Sequence, residues 1–317
     1  MASSRVLSAQ HTVPVAAPAG VVYGLLADAP RWPVLLPSYI HVERLGFDGV
    51  REELRSWRLH DGQVRSAIVR RVLRPGDRRI EFEVRDALLT GAPATGVWSV
   101  VPDGAGRCLL SLRHERPHEP WESVGAAHAL EGDVQSELAA LRETAERWDR
   151  LDELLLSFED SVYVSGSPEL VYDFLYRIED WVDLVPDVER AEVTEDQPGV
   201  QLTVLHTCAP DTGHTLVSEA VRLCFPAAGR IVHKATVMPD PVAAHYGEWS
   251  LEPDESGVRV VSVHQVMLKE SAVQAVLGED AVLFDARRHV REWLGRSSTE
   301  ALGLARWHAE SAVPRLR

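Results

Sequence analysis

Arg71 and Arg222 are the residues of this 317-residue chain whose chemistry is easiest to name. Arginine stays protonated in proteins and carries a rigid fork of donors, so it can polarise a carbonyl or hold an oxyanion without acting as a base. Strand alternation puts Val69, Arg71 and Leu73 on one face, and Ser218, Ala220, Arg222 and Cys224 on another. A face of small and apolar residues with one guanidinium suits a ligand cavity with an oxyanion partner. The same arginines could instead pair with structural carboxylates.

Proton transfer calls for other groups. His114 and His264 sit at matching places, 150 residues apart, and imidazole titrates near neutral pH. His206, His214 and His245 are further candidates, although a lone strand histidine is often structural. Trp98 and Trp249, each followed by serine, read as cavity-wall or core aromatics, and Trp57, Ser218 and Tyr246 complete the candidate binding residues with His214 and His245. His206, Cys208 and His214 have no zinc-type spacing. With no GxSxG, P-loop or dinucleotide fingerprint either, the expectation is a protein with no metal and no cofactor.

The matched arginines belong to a larger pattern. Val13, Val15, Val22, Tyr23, Leu26, Trp32, Leu35 and Pro37 recur 149 residues later as Val162, Val164, Val171, Tyr172, Leu175, Trp181, Leu184 and Pro186. A second block, including Arg71, Pro75, Arg79, Gly96, Trp98 and Asp103, returns at offset 151 as Arg222, Pro226, Arg230, Gly247, Trp249 and Asp254. Solenoid units run to roughly 20–50 residues, so a period near 150 is a whole domain copied in tandem.

Composition narrows the partners. An apolar fraction of 45% is ample for two cores, and a formal charge of −15 argues against nucleic acid or an anionic membrane surface. The three cysteines, Cys108, Cys208 and Cys224, form no CxxC, which suggests a reduced, cytoplasmic setting. No apolar run reaches a membrane span, and the opening MASSRVLSAQ lacks a signal-peptide core. Arg65, Arg70, Arg71, Arg74, Arg78, Arg79 and Arg85 form a local basic stretch: either the solvated face of a strand pair or a docking surface for an acidic partner or a phosphate-bearing group.

Each half predicts the same elements. A short strand (residues 11–15 and 160–164) leads to a helix, marked in the second half by Ser167 as N-cap, Pro168 at N1 and Glu169 in the first turn. Strands separated by Gly, Pro and Asp turns follow, clearest at 216–225, 230–237 and 258–268. A long amphipathic helix closes each half, through Val134, Leu138, Leu141, Ala145, Trp148, Leu151 and Leu155 in the first. In the second it runs through Val290, Leu294, Ser297, Ala301, Leu304 and Ala305. The expected fold is α+β: two tandem domains, 8–157 and 158–311, each a curved antiparallel sheet wrapped around its C-terminal helix, with room for an apolar ligand between them.

The opening VxV…VYxLLADAPRWPxLLPSY resembles the START-like, Bet v 1-type helix-grip (SRPBCC) superfamily. The pairing of two such domains, with Gly213-His214-Thr215, Val221–Pro226, Arg230–Lys234 and Ala243–Trp249, resembles the didomain aromatase/cyclases of bacterial type II polyketide synthases. That resemblance implies a cofactor-independent enzyme. It would direct regiospecific aldol cyclisation and dehydration, forming the first aromatic ring of a ketoreduced poly-β-ketone on an acyl carrier protein, alongside other synthase components. It also implies catalytic roles for Arg71, Arg222 and Tyr39. The second half has Val188 at the place of Tyr39, and Arg65 and Ala67 stand where single-domain members carry tryptophans. A non-catalytic carrier of a hydrophobic small molecule is the alternative reading.

Overall fold

The computed structural model describes residues 6–60, 62–86, 93–117, 124–208 and 213–311. The chain divides into two compact units, Met1–Leu151 and Asp152–Arg317. The first contains β1 (Val6–Val15), α1 (Ala19–Ala27), α2 (Trp32–Leu35), β2 (Tyr39–Phe47), β3 (Arg51–His60), β4 (Gln63–Arg74), β5 (Arg79–Asp86), β6 (Ala94–Pro102), β7 (Cys108–Pro117) and α3 (Val124–Glu146). A short helix, α4 (Leu151–Leu154), leads into the second.

The second unit repeats the order: β8 (Leu155–Val164), α5 (Pro168–Tyr176), α6 (Trp181–Leu184), β9 (Val188–Gln197), β10 (Val200–Cys208), β11 (Thr215–Phe225), β12 (Arg230–Val237), β13 (Val242–Pro253) and β14 (Val258–Leu268). A short α7 (Val273–Leu277) precedes the long α8 (Leu283–Ser311). Each unit is one seven-stranded sheet, in the orders β1-β7-β6-β5-β4-β3-β2 and β8-β14-β13-β12-β11-β10-β9. All pairings are antiparallel, with the first strand of each unit hydrogen-bonded to its last.

Local sequence explains the elements. The Ser167 hydroxyl accepts from Glu169 N at 3.2 Å, so the predicted N-cap forms and Pro168 begins α5 where its missing N–H costs nothing. The apolar stripe of α8 turns inward through Ala286, Val290, Leu294, Ala301, Leu302, Ala305 and Ala309. Ser298 is the buried serine there, not Ser297, which is exposed.

Two expectations about boundaries shift. The periodic run through Leu155 is not one helix: α3 ends at Glu146, Trp148 is exposed, and Leu155 already belongs to β8. A domain edge at Ser157 would therefore cut a paired strand, and the compact units separate after Leu151 instead.

The duplication is conserved at the level of single bonds. Trp32 Nε1 donates to Leu25 O at 2.9 Å, and Trp181 Nε1 to Phe174 O at 3.0 Å. Ala16 N donates to Glu146 Oε1 at 3.1 Å, and Ser165 N to Glu310 Oε1 at 3.0 Å. The first pair ties the two short helices of each unit together, and the second ties its long helix to the residue just after its first strand, in the same way twice. The face of each sheet that meets its long helix, through Arg291 on Asp160 in the second unit and Glu137 on Tyr39 in the first, is termed the inner face.

Candidate active site

One row of paired residues crosses each inner face. In the second domain it reads Gln201, Arg222, His233, Gly247, His264, Phe158, from β10 through β11, β12, β13 and β14 to β8. In the first it reads Glu52, Arg71, Phe82, Gly96, His114, Ala9, from β3 to β7 and then β1. The rows correspond place by place, so the chemistry of the two domains can be compared one residue at a time.

The recurring arginine is first a helix cap. Arg71 donates to Leu26 O at 2.7 Å and Ala27 O at 2.8 Å, the last carbonyls of α1. Arg222 donates to Leu175 O, and to Tyr176 O at 3.1 Å, the corresponding carbonyls of α5. Unpaired carbonyls at a helix C-terminus carry partial negative charge and need such donors. The remaining partners differ. Arg71 is ion-paired with buried Glu52, Nε to Oε1 at 2.6 Å, and stacks on Trp32 at 4.9 Å. Arg222 meets the neutral Gln201, Nη1 to Oε1 at 2.6 Å, and among the described residues it makes no hydrogen bond to a carboxylate. Gln201 passes the link on to Glu195 at 2.9 Å, which also accepts from Tyr176 Oη at 2.6 Å.

Arg71 is therefore held by a structural carboxylate, while Arg222 presents a buried charge with no carboxylate in contact among the described residues. Burial alone pulls the Arg222 pKa below its ordinary value. Beside each arginine lies a buried tyrosine that its sequence context does not mark as functional. The hydroxyls of Tyr23 and Tyr172 are buried and find no hydrogen-bond partner among the described residues. Their signal was present as the repeated Val-Tyr pair in the opening motif. Burial pushes both phenols up, and the arginine charge opposes that rise in each domain.

The histidines part company as well. In the first domain His114 Nε2 lies 3.3 Å from His11 Nε2, and His11 Nδ1 is 2.8 Å from Gln135 on α3. In the second, His264 Nδ1 is 3.0 Å from His245 Nε2, and its Nε2 is 3.0 Å from Ser262 Oγ. His264 stacks on Phe158 at 4.7 Å, and His233 meets His245 edge-on at 5.1 Å. Burial pushes His233 down to about 3, His264 to about 4 and His245 well below its ordinary value, so all three are neutral imidazoles at neutral pH. The cluster comes from three adjacent strands. Spacing along the chain gave no sign of it, and only the strand register brings the rings together.

Gly247 makes the cluster possible, because a Cβ there would lie 2.3 Å from the His233 ring. Gly96 does the same for Phe82 at 2.4 Å. Tyr39 stands at the other end of the first domain's inner face. It is buried, and its hydroxyl donates to Glu137 Oε1 at 3.3 Å. Arg58 donates to Glu137 Oε2 at 2.6 Å and lies 4.6 Å over the Tyr39 ring. Burial, chiefly, pushes the Tyr39 phenol well up, so it is a hydrogen-bond donor at every working pH. In the second domain Val188 pairs with Thr207 at these places. Counting back from the copied carboxylates Glu146 and Glu310, Ala301 holds the place of Glu137.

Other predicted residues fall elsewhere. Trp57 shares the outer face with His41 and Arg55, since Leu54, Ser56 and Arg58 alternate with it toward the inside. Tyr246 likewise points opposite to its neighbour His245, so the two cannot line one pocket. His214 is exposed ahead of β11, and Ser218 is half-buried on β11 on the Arg222 face. Trp98 and Trp249 are buried inner-face aromatics paired with Ile80 and Ile231. In the basic stretch, Arg70, Arg74 and Arg85 are paired at the surface with Glu53, Glu81 and Glu83.

The sequence profile of the polyketide cyclase/dehydrase and lipid transport family matches residues 7–146 and 156–303, one copy per domain. The chain belongs to the polyketide cyclase/dehydrase family. Within this family it is 31% identical over 316 residues to the granaticin polyketide synthase bifunctional cyclase/dehydratase of Streptomyces violaceoruber, covering 99% of this chain and 96% of that protein. It is also 31% identical over 302 residues to the actinorhodin polyketide synthase bifunctional cyclase/dehydratase of Streptomyces coelicolor, covering 92% and 93%. Among solved structures, the di-domain ARO/CYC BexL from the BE-7585A biosynthetic pathway superposes with a TM-score of 0.86 at 33% identity, covering 97% of this chain and all of that one. The di-domain ARO/CYC StfQ from the steffimycin pathway gives 0.83 at 27% identity, covering 96% and 98%. This polyketide cyclase/dehydrase family member is thus similar to two-domain relatives along their whole length.

Proposed function

We propose that the chain is a polyketide aromatase/cyclase acting on a ketoreduced poly-β-ketone held by an acyl carrier protein, with the two domains doing different steps. The observation that carries this reading is the divergence of matched positions: Tyr39, Arg58 and Glu137 against Val188, Thr207 and Ala301. The reaction needs an α-carbon to lose a proton and attack a distant ketone carbon, with the proton ending on the new alkoxide. Water is then lost to give the ring. Choosing one carbon pair among many is the main task, and a shaped site achieves it by orientation.

The first domain supplies the acid–base pair. The Glu137 carboxylate, oriented by Arg58, accepts the α-proton, and the Tyr39 phenol donates to the ketone oxygen as charge develops. The second domain supplies Arg222 and the Tyr172 hydroxyl to polarise a carbonyl during dehydration. Arg71, saturated by Glu52, positions α1 and takes no part in the chemistry.

Reconstitution with a minimal synthase and a ketoreductase tests this. Adding the protein is expected to replace the spontaneous shunt products with a singly cyclised aromatic. Tyr39→Phe is expected to block ring closure, and Arg222→Gln to stall after it. An unchanged product profile in the presence and absence of the protein, with tight binding of an unmodified apolar ligand, would establish a carrier instead.

A further inference from the structure

We propose that His233, His245 and His264 bind a divalent transition-metal ion on the inner face of the second domain. The inference does not depend on the cyclase reading. One ligand atom from each ring lies within 4.8 Å of the others. A four-coordinate ion with metal–nitrogen bonds of about 2.0–2.1 Å sets its ligands about 3.4 Å apart. His245 Nε2 and His264 Nδ1 are already 3.0 Å apart, so ligation asks mainly for a small swing of His233.

The surroundings fix the rings as a site would require. Ser262 Oγ lies 3.0 Å from His264 Nε2, so the tautomer protonated at Nε2 donates to it and leaves the Nδ1 lone pair facing His245. Such an outer partner sets tautomer and ring angle in metal-ligating histidines. Phe158 backs the His264 ring, and Gly247 leaves the space that the His233 ring fills. Three imidazoles without a carboxylate favour zinc, cobalt, nickel or copper over magnesium or calcium. Arg222 is the cross-strand neighbour of His233, and Arg291 is ion-paired with Asp160 at 2.8 Å, so its charge is already answered. Three imidazoles leave the fourth position of such an ion to water or an oxygen ligand. The first domain is a built-in control, since Phe82 and His114 occupy the places of His233 and His264 there.

The test is metal uptake by the full chain. After chelation and dialysis, Zn2+ titrated by calorimetry should bind in one equivalent, and Co2+ should develop the visible absorption of four-coordinate cobalt. His233→Phe, which imports the residue the first domain folds with, and His245→Ala should each weaken Zn2+ by more than about 100-fold. Ser262→Ala should weaken it about 10-fold, and His114→Ala should leave it unchanged. Folded wild-type protein that takes up neither metal would overturn the proposal, as would uptake undiminished by His233→Phe and His245→Ala.

Discussion

Arg222 donates to Gln201 at 2.6 Å where, in the first domain, Arg71 meets the carboxylate of Glu52. One atom type at one position thus separates a saturated ion pair from a buried cation with capacity left for a substrate oxygen. The same arginine closes the same helix in both domains, so duplication preserved its structural task and left its electrostatics to diverge.

Removing Arg71 strands a buried carboxylate. Arg71→Met is expected to destabilise the first domain by about 3 kcal/mol, the low end for breaking a buried pair, because Arg44 still holds Glu52 Oε2 at 3.0 Å. Adding Glu52→Gln, the arrangement the second domain uses, should recover part of the loss. Urea unfolding of the single and double variants measures both, and a double variant no better than the single would refute the account.

Tyr39→Phe and Glu137→Gln should each lower ring formation by about 10²-fold, with less than about 1 kcal/mol change in stability. Val188→Ala, at the matching place, should leave ring formation unaffected. Product analysis in the reconstituted synthase reads this out. Equal losses at both places would mean that the domains are not specialised.

Gly247→Ala puts a methyl group into the His233 ring and within 3.0 Å of Val263 O. The expected cost is about 2–3 kcal/mol. Combining it with His233→Ala should restore about 1 kcal/mol, read as a double-mutant cycle by chemical unfolding. Strict additivity would show that the ring is not what forbids a side chain there.

Burial, chiefly, pushes the Cys224 thiol up to about 11 from an ordinary value of 9.0. A raised folded-state pKa means that the unfolded chain releases its proton first. The stabilisation is therefore complete below about pH 9 and is lost as pH rises toward 11, by roughly 3 kcal/mol at most. Alkaline unfolding of the wild type should be steeper in this window than that of Cys224→Ala. Identical slopes would assign the alkaline loss to other groups.

Much of this architecture is legible in the sequence, because duplication supplies each half with a second reading. Ser167-Pro168-Glu169 predicts a helix start, and alternation through Arg230–Val237 and Val258–Leu268 predicts strands with those ends. The side of the sheet is harder. Trp57 and Tyr246 look like binding residues until their neighbours Arg58 and His245 occupy the inner face. The extra residue Ile40 in β2 shifts the pairing between Tyr39 and His41, which no periodicity announces. The histidine cluster was hidden for a related reason. His233, His245 and His264 meet through register between strands, a property of pairing and not of spacing along the chain.

The first strand of each sheet waits for its last: Val13 pairs with Leu110, and Val162 with Val260. Loop-closure entropy makes such distant pairings slow to form. On a ribosome, β1 must stay unpaired until β7 has emerged, and β8 until β14 has. The chain would then mature in two separate strokes, with the first unit able to close its sheet while most of the second is still being made.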